Sequence, residues 1–303
     1  MLQLLLGGSG SGKTTLLYQR IRARAEKGEK SILLVPEQFT SSTEGRIYRE
    51  LGDALSGMVE SFSFTSLAEK ILSTEGGAAV QNLSDAGRAV LVRRALEELQ
   101  DNVHYYHRHR RSAAFCQMAA QTIDELKSAG LSGRQLAQLA GACGAESGKL
   151  SELALIFQGY ETLLARSGMD PSDRLELAGA RLEEALARHS LPEFLRDRAV
   201  FIDEFDTFNA PKKRLLGAML AALPSVTVAL CDDGAPLLPG DLSLFSGAKQ
   251  VAAQLRQLAR KNGTEVAVPQ LLRKDLRHRN APGLAAVAEL LETGSCTADA
   301  PAG

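Results

Sequence analysis

The amino end of this 303-residue chain carries a run of small residues that ends in a lysine and two threonines. The run has the spacing G-x-x-x-x-G-K-T and comprises Gly7, Gly8, Ser9, Gly10, Ser11, Gly12, Lys13 and Thr14, with Thr15 directly after it. Small residues let successive backbone N–H groups curl around a polyphosphate without steric clash, and Lys13 adds a mobile cation. Thr14 is expected to open the following helix, where its hydroxyl can hold Mg²⁺ while the helix N-terminus faces the phosphate charge. The spacing therefore predicts a nucleotide-binding loop.

A carboxylate pair far downstream supplies the second half of such a site. A phosphate loop needs an acidic side chain at the carboxyl end of a neighbouring parallel strand, where it holds Mg²⁺ through the water shell of the metal. Asp203 is the candidate for that role, and Glu204 stands where a general base could polarise the attacking water. The pair could instead begin an ordinary loop, but the intact phosphate loop favours the functional interpretation. A further pair, Asp232 and Asp233, could sense the γ-phosphate or cap a strand, and the sequence favours neither.

The elements that must position these residues alternate between strands and helices. Apolar runs of strand type predict strands at 2–6, 31–35, 58–62, 199–202, 226–230 and 265–268. Helical periodicity and capping residues predict helices at 15–25, 44–55, 65–72, 84–99, 113–129, 132–140, 150–166, 171–187, 210–223 and 247–261. The middle of the chain has no predicted strand, so the sheet is interrupted by a helical insertion and then resumed.

This order of elements predicts an α/β fold with a parallel sheet. The nucleotide-binding domain is expected to comprise residues 1–75 and 196–292, and the all-helical insertion residues 76–195. The small-residue stretch at 293–303 is expected to be a disordered or truncated tail.

Composition limits the classes of partner and compartment. The net charge of −1 provides no bulk attraction to nucleic acid, so any such contact must come from a local patch. The cysteines lie far apart, without the C-x-x-C spacing of zinc sites and without a secretory signal, at Cys116, Cys143, Cys231 and Cys296. Reduced thiols and a cytoplasmic location are therefore expected. No stretch is long enough to span a membrane.

The succession of segments along the chain resembles the first RecA-like domain of superfamily 1 helicases of the UvrD/RecB type. After the phosphate loop come V-P-E-Q at 35–38, S-F-S-F-T-S-L at 61–67, the helical insertion and F-I-D-E-F-D at 201–206. The resemblance implies a RecA-like P-loop NTPase sheet, with the insertion in the place of the helical 1B subdomain of those helicases.

A closer resemblance, over nearly the whole chain, is to the B subunit of the AddAB (RexAB) ATP-dependent helicase/deoxyribonuclease. It rests on I-L-L-V-P-E-Q-F-T at 32–40, L-S-D-A-G-R at 83–88, I-D-E-L-K at 123–127 and K-L-S-E-L-A-L-I-F-Q-G-Y-E at 149–161. It implies a part in processing double-strand DNA ends for recombinational repair, with ATP and Mg²⁺ as cofactors and with DNA and the A subunit as partners. It also implies an amino-terminal fragment, because the nuclease, the iron–sulfur cluster and the second RecA-like domain with its arginine would lie beyond Gly303.

The same resemblance places the segments after the second and third predicted strands near single-stranded DNA. The residues so implicated are Gln38, Phe39, Thr40, Ser63, Phe64, Thr65 and Ser66. An aromatic ring on a base, with hydroxyls on phosphates, is the usual sequence-tolerant arrangement. Phe62 and Phe64 alternate as residues of a strand would, however, so one of them is expected in the core.

A dense basic and aromatic run, H-Y-Y-H-R-H-R-R at 104–111, lies between two predicted helices of the insertion. Most such runs are solvated loops. The sequence favours a phosphate-tracking role over direct base contact, carried by Arg108, Arg110 and Arg111. Charge-neutral substitutions of these arginines are expected to flatten a steep salt dependence of binding.

Three functions compete at the level of the sequence. The first is the ATP-binding, helicase-like part of a DNA-end-processing nuclease complex, with Lys13 and Glu204 as its catalytic residues. The second is a catalytically silent nucleotide-binding scaffold that docks the A subunit and scans single-stranded DNA. The third, a small-molecule kinase, is disfavoured because such enzymes rarely need so long a helical insertion and because the chain shows no arginine-rich lid.

Overall fold

The computed structural model describes residues 1–77, 82–144 and 147–293. The strands are β1 (Leu2–Gly7), β2 (Ser31–Leu34), β3 (Val59–Phe62), β4 (Ala199–Ile202), β5 (Ser225–Cys231) and β6 (Gln270–Leu272). They form a six-stranded sheet in the order β3-β2-β4-β5-β1-β6, in which neighbouring strands are parallel. A parallel sheet is covered on both faces, which is why most of these strands are continuous apolar runs. The predicted α/β class with a parallel sheet is confirmed.

Helices connect the strands and form the segment between β3 and β4. They are α1 (Lys13–Ala25), α2 (Thr40–Leu51), α3 (Asp53–Ser56), α4 (Phe64–Glu75), α5 (Asp85–Glu98), α6 (Ala113–Ser128), α7 (Gly133–Ala140), α8 (Ser147–Ser167), α9 (Pro171–Ala187), α10 (Ala210–Ala222), α11 (Ser246–Lys261) and α12 (Pro282–Thr293). Short 3₁₀ turns occupy Glu37–Phe39 and His107–His109. In the described ranges, no helix is both long enough and apolar enough to cross a membrane.

One face of the sheet packs against α1 and α2. The cluster between them includes Leu5, Leu17, Ile21, Leu33, Ile47, Phe201 and Ala229. A fully buried leucine or isoleucine side chain stabilises the fold by about 1.5–3 kcal/mol. This cluster therefore fixes the end of β1 and the start of α1, and with them the loop that joins the two.

The last strand differs from its prediction. The segment 265–268 was expected to be a strand, but its Val266 makes only an isolated bridge to Leu2. Pro269 follows, and a proline has no N–H with which to continue the ladder. The regular pairing with β1 resumes beyond it, from Leu5 with Gln270 onwards. The strand therefore lies a few residues further along the chain.

Two helical regions also differ from prediction. The helix expected at 44–55 begins earlier and is split, because Gly52 adopts a φ of 74° between α2 and α3. Helix α12 has no counterpart among the predicted elements, although Pro282 at its first position is a common start signal. The expected tail at 293–303 lies outside the described residues except for Thr293.

The described residues form two compact units. The first, here called the sheet unit, takes Met1–Leu67, Leu182–Phe208 and the described residues from Leu216 onwards. The second, here called the helical unit, takes the described residues of Ala68–Arg181 together with Asn209–Leu215. Each unit has a hydrophobic core of its own.

A buried ion cluster lies in the helical unit. Nζ of Lys127 lies 2.6 Å from Oδ2 of Asp170 and 2.7 Å from Oδ1 of Asp173. Burial alone would lower the pKa of Lys127, but the two carboxylates more than offset it and the pKa is raised. Burial, together with the charge of Asp170, raises the pKa of Asp173. One cation thus serves two carboxylates, which makes it the critical member of the cluster.

Candidate functional site

The loop between β1 and α1 is a tight backbone cradle. Gly10 and Gly12 adopt φ angles of 78° and 89°. A Cβ atom would lie 2.7 Å from Cβ of Arg277 if placed on Gly10, and 2.9 Å from Cδ1 of Leu276 if placed on Gly12. Any other residue at either position would be strained in both backbone and packing. Gly12 is also the N-cap of α1, so the unpaired N–H groups of the first helical turn adjoin the loop.

Lys13 and Ser11 are the polar side chains of this cradle. Nζ of Lys13 donates to the carbonyl oxygens of Gly7 and Gly8, at 2.8 Å each. Ser11 is buried, and its Oγ has no hydrogen-bond partner among the described residues. A buried polar group without a partner costs about 1–3 kcal/mol. The loop therefore holds an unsatisfied hydroxyl at a place where a phosphate oxygen would be an acceptor.

The carboxylate that was predicted to hold a metal reaches the loop. Thr14, in the first turn of α1, lines the same cleft as Asp203, which directly follows β4. The expectation that the two strands are neighbours was wrong, because β5 lies between β4 and β1. The β5 residue Ala229 lines the cleft together with Thr14 and Asp203. Burial raises the pKa of Asp203 above its ordinary 3.8, and the nearby Thr14 hydroxyl offsets only part of that rise.

Glu204 has a left-handed backbone conformation. Its φ is 64°, which is uncommon for a residue other than glycine. Its N–H donates to Oδ1 of Asp203 at 3.0 Å, and its exposed side chain lines the same cleft. Backbone strain of this kind costs about 1–3 kcal/mol and persists only where the surroundings enforce it. The turn thus presents a second carboxylate next to the first.

These residues lie around one cleft of about 550 Å³ in the sheet unit. The predicted site residues that line it are Ser9, Gly10, Ser11, Gly12, Lys13, Thr14, Thr15, Gln38, Phe39, Asp203 and Glu204. Gly7 and Gly8 belong to the same loop and hold Lys13. The volume is within the range of about 300–1,000 Å³ that is typical of small-molecule sites. Residues from both ends of the chain thus meet in a cleft that could accept a nucleotide.

Comparison with known proteins identifies the family. A sequence model of the family described as "ADDB, N-terminal" matches residues 4–288. The chain belongs to this ADDB N-terminal family. The matched range includes most of the phosphate loop's strand, the whole loop, and both carboxylates.

Curated relatives of this ADDB N-terminal chain are each named as the B subunit of an ATP-dependent helicase/deoxyribonuclease. The relative from Desulforudis audaxviator (strain MP104C) is 34% identical over 296 residues, which cover 94% of this chain and 25% of the relative. The relative from Moorella thermoacetica is 33% identical over 299 residues, with 94% and 25% covered. The relative from Symbiobacterium thermophilum is 31% identical over 313 residues, with 96% and 26% covered. The predicted resemblance to this B subunit is confirmed, and the chain spans about a quarter of the length of these relatives.

The cleft of the ADDB N-terminal chain contains arginines that the sequence patterns did not single out. Arg46 on α2 lies with its guanidinium carbon 4.9 Å from the centre of the Tyr18 ring. Arg277 follows β6, and its Nη1 donates to Oγ of Ser9 at 3.1 Å. Neither belongs to a recognisable motif. Arg277 could have been recognised as a candidate because it follows a parallel strand, but that strand was predicted too early in the chain.

The DNA-contact candidates after β2 lie beside the phosphate loop. Gln38 and Phe39 line the cleft itself, and the ring of Phe39 is partly exposed. Thr40 begins α2, where its hydroxyl donates to the carbonyl oxygen of Glu37. This segment therefore borders the same cleft as the loop between β1 and α1.

The candidates after β3 are mainly structural. Phe64 is 1% exposed and packs edge-to-face against two phenylalanine rings of the core, so its ring is not available to stack on a base. Ser63 is buried, and the Ser66 N–H donates to its Oγ at 3.1 Å. The Ser63 N–H in turn donates to Oγ of Ser66 at 2.9 Å. Thr65 donates its hydroxyl hydrogen to Oε1 of Glu37. These polar groups fix the entry into α4.

The acidic pair after β5 caps the strand end. Oδ1 of Asp232 accepts the Gly234 N–H at 2.7 Å, and Oδ1 of Asp233 accepts the Ala235 N–H at 2.9 Å. Asp233 also lies 3.2 Å from Nζ of Lys249. Within the described residues neither carboxylate lines the cleft. Of the two roles left open by the sequence, the structure therefore supports the cap.

Proposed function

We propose that this chain binds Mg·ATP in the cleft of the sheet unit. We further propose that it forms the helicase-like, amino-terminal part of the B subunit of an ATP-dependent helicase/deoxyribonuclease that processes double-strand DNA ends. The observation that carries the proposal is that Thr14 and Asp203 line one cleft together with the loop between β1 and α1. This cleft brings a hydroxyl and a carboxylate together beside a phosphate-binding loop, which is the arrangement that a magnesium nucleotide requires.

The residues of the cleft fit a magnesium nucleotide. Mg²⁺ keeps several waters and takes one or two protein oxygens plus phosphate oxygens, so Thr14 and Asp203 suffice on the protein side. In the described residues there is no group of three or more His, Cys, Asp or Glu that could hold a metal alone, so phosphates would complete the coordination. The unpartnered hydroxyl of Ser11 gains an acceptor when a phosphate binds. Bound Mg²⁺ would neutralise the charge of the phosphate oxygens.

The proposed chemistry is hydrolysis of the terminal phosphoanhydride. Lys13 would exchange its contacts with the loop carbonyls for contacts with phosphate oxygens. Glu204 would accept a proton from the attacking water as the water oxygen bonds to the terminal phosphorus and the bond to the leaving diphosphate breaks. Arg46 and Arg277 line the same cleft, where their fixed charge would face the phosphates.

We also propose a more specific fold than an α/β domain with a parallel sheet. We assign residues 1–75 and 196–292 to a RecA-like P-loop domain and residues 76–195 to a 1B-like helical insertion. The assignment is supported by the parallel sheet, by the phosphate loop after β1 and by the carboxylates after β4.

The partners are proposed from the names of the relatives. The name of a B subunit implies a companion A subunit, and a helicase/deoxyribonuclease acts on DNA. Gln38 and Phe39 line the cleft, Thr40 directly follows them, and all three are proposed to face a single strand that passes across it. The nuclease and the iron–sulfur cluster are assigned to the remaining three quarters or so of the full-length relatives.

Calorimetric titration with Mg·ATP tests the site. The natural chain is expected to bind Mg·ATP saturably, and Lys13→Ala is expected to abolish this binding. Lys30→Ala, which changes an exposed lysine before β2, should leave the binding unchanged.

The rate of ATP turnover, measured with and without single-stranded DNA, then distinguishes a motor-like protein from the scaffold. DNA-stimulated hydrolysis that disappears in Glu204→Gln excludes the scaffold, whereas binding without turnover supports it. No heat with the natural chain would contradict both.

A further inference from the structure

A second pocket, of about 470 Å³, lies in the helical unit beside the start of α6. Its main lining residues are Tyr105, Tyr106, His109, Phe115, Met118 and Lys149. Among the described residues that line it, none carries a carboxylate. Tyr105 is 58% exposed and Met118 is 56% exposed, so large apolar surfaces face the solvent here. The pocket therefore combines flat aromatic faces with a cation.

Three of the rings form a stack. The centres of the Tyr106 and Phe115 rings lie 5.4 Å apart with 30° between their planes. His109 lies against Phe115 in the same manner, at 5.5 Å and 30°. Stacked rings present a π-face on which any nucleobase can continue the stack, because every base has a π-face of its own.

The segment that carries Tyr105 is held by a buried carboxylate. Oε1 of Glu152 on α8 accepts the His104 N–H at 2.7 Å, and its Oε2 accepts the N–H groups of Tyr105 and Tyr106 at 2.9 and 3.2 Å. Gly148 lets the Tyr105 ring lie close against α8, since a Cβ atom there would be 2.9 Å from Cε2 of the ring. The exposed ring is thus positioned in advance, which lowers the entropy that a ligand must remove on binding.

The segment that contributes Tyr105, Tyr106 and His109 to the pocket is basic. Arg108 and Arg111 are exposed on either side of His109, and Arg110 is half-buried with its Nη1 2.6 Å from Nε2 of His107. The whole chain has a net charge of −1, so this concentration of positive charge is local. An aromatic face beside several cations matches the chemistry of single-stranded nucleic acid, whose bases stack while its phosphates take the positive charge.

We infer that this pocket takes one unstacked base of single-stranded DNA while Arg108, Arg110 and Arg111 hold the adjacent phosphates. The inference rests on the proposed DNA-processing function for the identity of the polymer. It goes further than phosphate tracking, because the stacked rings and the exposed face of Tyr105 assign a base contact to this segment. Glu152 and Gly148 are positioning residues in this account, since they act through Tyr105.

Fluorescence anisotropy with the 303-residue chain tests the base contact. One labelled probe is oligo(dT), and the other is an abasic strand of the same length, which keeps the phosphates and lacks the bases. The natural chain is expected to bind oligo(dT) more tightly. Tyr105→Ala should weaken oligo(dT) binding by about fivefold or more, as the loss of one base–aromatic stack does, and leave the abasic strand unchanged. Tyr48→Ala, a 54% exposed tyrosine on α2, should change neither.

A second variant keeps the test decisive if Tyr105→Ala does not fold. Met118→Glu places a carboxylate in the exposed pocket without removing a ring, and it should weaken oligo(dT) binding. Val90→Glu, at a 63% exposed position on α5, adds the same charge to the same unit and should leave binding nearly unchanged. If Met118→Glu does not alter the affinity for oligo(dT), the pocket does not hold a base of the strand, and the inference is overturned.

The remaining outcomes separate the inference from the function on which it rests. Equal affinity of the natural chain for the two strands would refute the base contact and leave DNA binding intact. No binding of either strand would refute both the inference and the DNA-binding part of the proposed function. The nucleotide-binding part has its own calorimetric test, which does not depend on this pocket.

Discussion

Thr14 and Asp203 line the same cleft, although β5 separates the two strands that lead to them. The β5 residue Ala229 lines the cleft with them. Asp203 is 6% exposed, and burial raises its pKa. A buried carboxylate whose charged form is disfavoured gains most when a cation binds next to it. Through Asp203, the stability of the chain therefore depends on whether the cleft is occupied.

Replacing Asp203 by Asn should have opposite effects on stability and on binding. Without ligand at neutral pH the variant should unfold at a higher temperature, because a buried charge is removed and each kcal/mol gained raises Tm by about 2–4 °C in a domain of 150–250 residues. Mg²⁺-dependent ATP binding should be lost. Thermal unfolding and calorimetry measure the two effects, and Asp101→Asn, at an exposed position, should show neither. A lower Tm in Asp203→Asn would contradict the account.

The same carboxyl predicts a pH dependence. Its pKa is raised in the folded state, so the folded chain binds this proton more tightly than the unfolded chain does. The stability linked to Asp203 is therefore present below its ordinary pKa of 3.8 and is lost as pH rises through the folded-state value. The metal-dependent part of ATP affinity should change in the opposite direction and weaken on acidification, starting at a higher pH than for an ordinary aspartate. Titrations at several pH values, compared with Asp203→Asn, measure this difference.

Ser11→Ala should also separate stability from binding. Its hydroxyl is buried without a partner in the described residues, so its removal should raise the free energy of unfolding by about 1 kcal/mol. Mg·ATP should bind more weakly, because the phosphate loses a donor. Denaturant unfolding and calorimetry test the pair of effects. Ser9→Ala is a useful contrast, because the Ser9 hydroxyl already accepts a hydrogen bond from Arg277. If Ser11→Ala lowers stability, the hydroxyl has a partner after all.

The sequence predicted the parts of the site that depend on local patterns. The phosphate loop is contiguous, and Asp203 and Glu204 directly follow an apolar strand, so both could be recognised without knowledge of the fold. The order of the strands could not be predicted, because the place of β5 between β4 and β1 depends on pairing between distant segments. Arg46 was missed for the same reason, since only the packing of α2 brings it to the cleft.

The aromatic pocket shows the same limit. The basic and aromatic run at 104–111 was visible in the sequence, and a solvated, phosphate-tracking loop was the simplest interpretation. Its conformation depends on the carboxylate of Glu152 and on the absence of a side chain at Gly148, both from the start of α8. No local pattern connects those residues to Tyr105. The stacking surface therefore became apparent only in the structure.

Lys127→Met should strongly destabilise the helical unit. It leaves the buried Asp170 and the half-buried Asp173 without their shared cation, and breaking a buried pair in this way costs about 3–5 kcal/mol. Arg93→Met, which breaks an exposed pair with Glu97, should cost no more than about 1 kcal/mol. Urea unfolding of the two variants measures the contrast. Similar losses in both would mean that the Lys127 cluster is effectively solvated.

Charge-neutral substitution of the arginines next to His109 should flatten the salt dependence of DNA binding. For single strands, removing one arginine–phosphate pair lowers the slope of log K against log salt by about 0.7, so Arg108→Gln with Arg111→Gln should lower it by about 1.4. The matched control is Arg93→Gln with Arg94→Gln, which removes the same charge from two exposed positions on α5. If Arg108 and Arg111 form a local phosphate site, only the substitution of these two arginines should change the slope. Equal flattening by both pairs would instead mean that the strand responds to the total charge of the unit, and the arginines would then have no specific role.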